Sequence, residues 1–161
     1  MHITPAVEAL CKNKRFTEAI VAFVNANTYT SFAQLNTLFG QYLDVDGDDY
    51  LYHSVAPNVV LWKGSPEYIA LLSETFAAYP KLRFKACNLL IYEIDGLPLH
   101  GVPRIEATIP QEGFEQEHWL SVIIYADYGK APHTRRQSVS SLSWIYRCLD
   151  KLREALFNRS R

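Results

Sequence analysis

The apolar positions of the first forty residues recur at helical spacing. Thr4-Pro5 supplies a cap and a first-turn proline for a short opening helix. Phe16, Ala19, Ile20, Phe23 and Val24 share one face of a second helix, from about residue 16 to 25. The run NANTYTS breaks it. Ser31 then caps a third helix whose stripe is Phe32, Leu35, Leu38, Phe39, Tyr42 and Leu43. Past the segment DVDGDD (residues 44–49), YLYHSV and NVVLWKG read as two strands separated by Ala56-Pro57. Ser65-Pro66-Glu67 starts a fourth helix with Ile69, Leu72, Thr75, Phe76 and Tyr79 inward, and Pro80 ends it.

The period then changes to two. LRFKAC and LLIYEID both alternate, with Leu90, Tyr92 and Ile94 on one face, so residues 82–95 are predicted to form a hairpin turning at Cys87-Asn88. Asp95-Gly96 is a further turn signal, and GLPLHGVP reads as loop. RIEATI (104–109) is expected to be a strand, and WLSVIIYAD (119–127) a strand apolar on both faces and central in its sheet. GKAPHTRRQ resembles a linker. A long amphipathic helix from about 138 to 158 follows, with Leu142, Ile145, Leu149, Leu152 and Leu156 spaced 3, 4, 3 and 4 apart.

The order helix, helix, strand, helix, hairpin over residues 16–95, with SFAQLNTLFGQYL and SPEYIALLSETF ahead of the hairpin, resembles a winged helix. One departure stands out. The first strand of that family lies between helices one and two, whereas here the strand-like runs fall between helices two and three. The resemblance implies an α+β fold: a winged-helix-like helical half with a β-hairpin, additional strands and the long C-terminal amphipathic helix. A single α+β domain over 1–129 is expected. Residues 130–161 are expected to form a basic linker and a C-terminal helix that packs on the domain or on a second subunit.

Composition fits that picture. The chain has 161 residues, 48% hydrophobic and 13% aromatic, enough to bury a sizeable core. Its longest apolar runs fall short of the roughly 18 residues that mark a membrane span, and the start MHITPAVEAL lacks an export pattern. Cys11, Cys87 and Cys148 are scattered and odd in number, as expected of buried thiols in a reducing, cytoplasmic compartment.

Charge is divided unevenly along the chain. Residues 1–129 carry eight Lys and Arg against fifteen Asp and Glu, a net −7. Residues 130–161 carry eight against two, a net +6. Winged helices that bind nucleic acid do so by meeting phosphates with Lys and Arg. Here the helix that would enter the groove, 66–78, has Glu67 and Glu74 and no cation. The helix before it has none either, and Asp44 to Asp49 lie nearby. On the expected hairpin, Arg83 and Lys85 pair across strands with Glu93 and Asp95. Duplex reading by residues 66–78 is therefore disfavoured.

Candidate chemistry is sparse. In DVDGDD, an EF-hand frame beginning at Asp44 puts Asp49 and Val55 where Gly and Glu belong, and a frame from Asp46 puts Leu51 and Pro57 there. A solvated bend is expected instead, with no metal site. His2, His53, His100, His118 and His133 show no HxH or HxxxH spacing, and a His118–Glu117 or His100–Asp95 pair would need tertiary proximity. GxSxG, GxGxxG and GxxxxGK are absent, so no catalytic residue and no cofactor is assigned. Two C-terminal features stand out. Arg135, Arg136 and Ser138 at a helix start are a candidate anion site. Leu142, Ile145, Leu149, Leu152 and Leu156 are a candidate self-association seam of about two heptads.

The leading expectation is a non-enzymatic regulatory or protein-interaction module that self-associates as a homodimer or joins another protein. One alternative is a nucleic-acid-binding transcriptional regulator using the basic C-terminal segment. Another is a small enzyme with a dispersed site built from His100, His118 and nearby acids, with His53 read as a partly buried structural residue of its strand.

Overall fold

The computed structural model describes residues 1–127 apart from 55, 97–98, 107–108 and 111–112. The chain divides into two units, Met1–Tyr128 and Gly129–Arg161, and the described residues all fall in the first. Among them the fold is mixed α+β, with several helices and two small sheets. The linker, the 138–158 helix, the anion-site residues and the leucine seam lie outside the described residues.

The capping signals act where the sequence places them. Helix α1 (Pro5–Lys12) begins with the Thr4 hydroxyl accepting the Val7 N–H at 3.3 Å. Helix α2 (Phe16–Ala26) buries Ala19, Ile20, Phe23 and Val24. A two-residue strand, β1 (Thr30–Ser31), interrupts before α3 (Phe32–Phe39), whose first turn is capped by the Ser31 hydroxyl accepting the Gln34 N–H at 3.2 Å. The stripe to Leu43 does not stay helical. Gly40, a poor helix residue, ends α3, and Tyr42 and Leu43 pack against the core from a turn. Strands β2 (Asp49–Tyr52) and β3 (Val59–Gly64) form an antiparallel hairpin with an irregularity between Leu51 and Tyr52. Helix α4 (Pro66–Ala78) starts on Ser65 and stops before Pro80.

The expected hairpin over 82–95 is not formed. Its first half is strand β4 (Leu82–Ala86), but its second half is helix α5 (Leu90–Asp95). The Asn88 side chain accepts the Leu90 N–H at 3.0 Å. Gly96, at φ 85°, closes the helix with its N–H directed to Glu93 and Tyr92 carbonyls. Asp-Gly thus serves as a left-handed helix cap rather than a hairpin turn. Tertiary contacts favour the helix as well. The buried Tyr92 hydroxyl donates to the Val122 carbonyl at 2.6 Å and accepts the Phe32 N–H at 3.4 Å.

The partner of β4 comes from much later in the chain. Strand β6 (Val122–Ala126) pairs antiparallel with β4 and, on its other side, with β1, giving the order β1-β6-β4. The apolar run 119–127 is therefore central, but it is shared between sheets. Strand β5 (His118–Trp119) runs parallel to β3 in the second sheet, β2-β3-β5. Ile123 and Tyr125 are less buried than Val122 and Ile124, so β6 covers the core mainly with one face. RIEATI does not form the expected strand among its described residues. Arg104 makes a single bridge to Trp119, and the Ile105 N–H reaches the same residue's carbonyl.

An aromatic chain ties these layers together. Phe32 stacks on Trp62 at 5.7 Å and on Phe84 at 6.1 Å. Trp62 continues to Tyr92 at 5.7 Å, and Tyr92 meets Trp119 edge-on at 5.0 Å. Such ring pairs add to burial energy. This chain links α3, both sheets and α5 in one core.

Candidate functional site

The outward side of α4 is small and acidic. Pro66, Glu67, Ala70, Ser73, Glu74, Ala77 and Ala78 are exposed, while Tyr68, Ile69, Leu72 and Thr75 face inward. No cation lies along this helix.

The acidic loop before it is a bend held by its own backbone. Asp44 Oδ1 accepts the Asp46 N–H at 3.1 Å, and the Asp44 carbonyl accepts the Ser65 hydroxyl at 2.8 Å. A Cβ on Gly47 would stand 2.5 Å from the Gly64 carbonyl oxygen, so glycine permits the loop's close approach to the end of β3. Lys63 Nζ donates to Asp48 at 2.9 Å. That hydrogen bond, with the ammonium charge behind it, holds the Asp48 carboxyl below the usual range. Asp44 and Asp48 are thus engaged separately, one by the Asp46 N–H and the other by Lys63. Among the described residues, no three His, Cys, Asp or Glu side chains come together where they could hold a metal ion.

The histidines are also apart in their settings. His53 Nδ1 accepts the Ala56 N–H at 3.1 Å. His118 stacks on Phe114 at 4.1 Å, its Nδ1 2.9 Å from the Gln116 carbonyl. His100 lines a groove of about 440 Å³ with Asp46, Asp48 and Lys63, a groove that His118 does not reach. Neither acid–histidine pair considered from sequence is formed as a dyad. Both oxygens of Asp95 point to α3, accepting from the Ser31 hydroxyl at 2.5 Å and from Gln34 Nε2 at 3.3 Å. Glu117 instead faces Tyr52, whose phenol is raised by burial first and by that carboxylate next. Burial pushes the Cys87 thiol up to about 11, against the opposing effect of the Ser121 hydroxyl. Burial and the Glu8 charge raise Cys11 too. Neither thiol is set up as a nucleophile at neutral pH.

Two expected ion pairs give way to a different arrangement. With 90–95 helical, Glu93 and Asp95 no longer stand across from Arg83 and Lys85. Both cations are exposed on β4 and make no ion pair among the described residues. Sequence reasoning read this strand but paired its cations with Glu93 and Asp95, and it missed the Asp95 clamp. The alternation of Arg83 and Lys85 was visible, but the clamp joins residues more than sixty positions apart. The anion and self-association candidates, Arg135 through Leu156, lie outside the described residues.

No helix among the described residues is long and apolar enough to cross a membrane. Comparison with known protein families, curated proteins and solved structures finds no match to this chain.

Proposed function

We propose that this chain is a non-enzymatic regulatory or protein-interaction module, built on a variant of the winged helix and self-associating through residues 138–158. Several features support the winged-helix part. Helix α2, strand β1, helices α3 and α4, then β4 and β6 follow the family's order of helices and strands. Strand β1 lies between the first two of these helices, where the family's first strand is expected. The β2-β3 hairpin is then an insertion before the third helix, and residues 87–121, with α5 and β5, stand in place of a short wing.

The observation that carries the functional reading is the outward face of α4. It offers two carboxylates and small residues where a duplex reader needs cations. The separate settings of His53, His100 and His118 favour a binding role over a dispersed active site. Self-association rests on the leucine spacing of the last segment. Light scattering at micromolar concentration is expected to give a dimer for the wild type and a monomer for Leu149→Asp. A monomeric wild type removes the self-association.

The net +6 of residues 130–161 favours one second reading, nucleic-acid binding by that segment. It predicts affinity that falls steeply with salt and is lost when Arg135 and Arg136 become Glu. Undetectable binding at low salt eliminates it.

A further inference from the structure

We propose that the groove between the free edges of β2 and β4 binds an extended acidic segment of a partner protein, which adds as a strand to the β4 edge. This inference rests on the interaction-module reading and supplies its surface and the chemistry of its partner.

Each sheet ends in one of these strands. Among the described residues β2 pairs only with β3, and β4 only with β6. A groove of about 550 Å³ lies between them, lined by Leu51 through Ser54 on one wall and Leu82 through Phe84 on the other, with Leu61 and Phe76 also contributing. Successive side chains of a strand point to opposite faces. A groove lined by consecutive residues therefore runs along the strand edges rather than over a sheet face.

The ladder shows which backbone groups point into the open. The Cys87 N–H goes to the Ser121 carbonyl and the Asp127 N–H to the Lys81 carbonyl. In an antiparallel pair the bonded residues alternate. Residues 81, 83, 85 and 87 thus face β6, while 82, 84 and 86 turn to the free edge. The Leu82 N–H is taken by the Tyr79 carbonyl, leaving Phe84 and Ala86 as the edge for pairing. On the other wall the His53 N–H bonds the Val59 carbonyl, so Tyr52 directs its own groups away from β3.

Charge selects the occupant. The groove lining includes Arg83 and no carboxylate, and Lys85 follows on the same exposed strand. A second copy pairing through its own β4 edge would set Arg83 and Lys85 against like charges, which edge strands use to prevent such pairing. An acidic segment meets the opposite condition. Glu117 beside Tyr52 repels acid on the β2 wall, which assigns the partner's carboxylates to the β4 wall. Main-chain bonds then supply affinity, alternate side chains supply selectivity, and apolar ones fall toward Leu61 and Phe76.

The test uses the full chain and fluorescein-labelled heptapeptides alternating Val with Glu or Val with Lys, read by anisotropy at low salt. The acidic peptide is expected to bind saturably and the basic one not. The double variant Arg83→Glu, Lys85→Glu should weaken the acidic peptide by about tenfold or more, and should admit the basic one. An acidic peptide N-methylated at alternate amides should lose binding in one of its two registers, since strand addition uses every second amide. Failure of the acidic peptide to bind, equal binding of both peptides, or indifference to N-methylation in both registers overturns the proposal. Light scattering on the same samples keeps the two readings apart. A dimer that ignores the acidic peptide overturns the groove alone, whereas a monomer that binds it overturns only the self-association.

Discussion

Asp95 shows how one side chain can fix a segment whose local sequence is ambiguous. Its carboxylate accepts from Ser31 and Gln34 at the start of α3, where the helix dipole also favours negative charge. Asp95→Ala leaves those donors unsatisfied and is expected to cost about 1–3 kcal/mol in urea unfolding. The neighbouring Thr30 presents the reverse case. It is fully buried, and its hydroxyl finds no partner among the described residues. Thr30→Val removes that polar atom at nearly constant shape in a strand, so stability should be unchanged or rise by up to about 1 kcal/mol in the same assay. Cys87 gives a pH-dependent signature. Its raised pKa of about 11 keeps it protonated at neutral pH, so in a Cys148→Ser background its reaction with a disulfide reagent should be far slower than that of free cysteine at pH 8. The rate should climb toward pH 11. Fast labelling at pH 8 would show an exposed, ordinary thiol.

At the scale of elements, Ser65 joins two structures. Its hydroxyl accepts the Tyr68 N–H at 3.2 Å at the start of α4 and donates to the Asp44 carbonyl at 2.8 Å in the acidic bend. Ser65→Ala should lower stability by about 1–2 kcal/mol, a loss measurable by thermal or urea unfolding. This cap, like those at Thr4 and Ser31, was legible in the sequence because it acts within three residues. The bend at 44–48 was legible for the same reason. The helix 90–95 was not. Its alternating apolar residues suit a strand, and Asp95-Gly96 suits a hairpin turn as well as a helix cap. The choice is made by Tyr92 reaching Phe32 and Val122, far away in sequence. The division of 118–126 between two sheets was equally hidden, since β5 is fixed by pairing with Val59 and Val60. Of the candidate site, the acidic α4 face could be read directly from residues 66–78. The open basic edge of β4 could not, because the sequence supplied Glu93 and Asp95 as apparent cross-strand partners.

At the scale of the whole molecule, charge separates two behaviours. Residues 1–129 carry −7, yet their β4 edge is basic, and the balancing +6 lies in 130–161. Long-range attraction between opposite charges is screened within roughly 10 Å at 0.1 M salt. Low ionic strength therefore reveals such attractions most clearly. It is also the condition that most favours nucleic-acid binding, and so the severest one for the claim that α4 is not a duplex-reading helix. The decisive experiment is a titration of the isotope-labelled full chain with random-sequence duplex DNA at low salt, following backbone amide shifts by NMR. The amides of residues 66–78 are predicted to stay in place while any salt-sensitive shifts arise elsewhere. Saturable shifts along 66–78 would contradict the account.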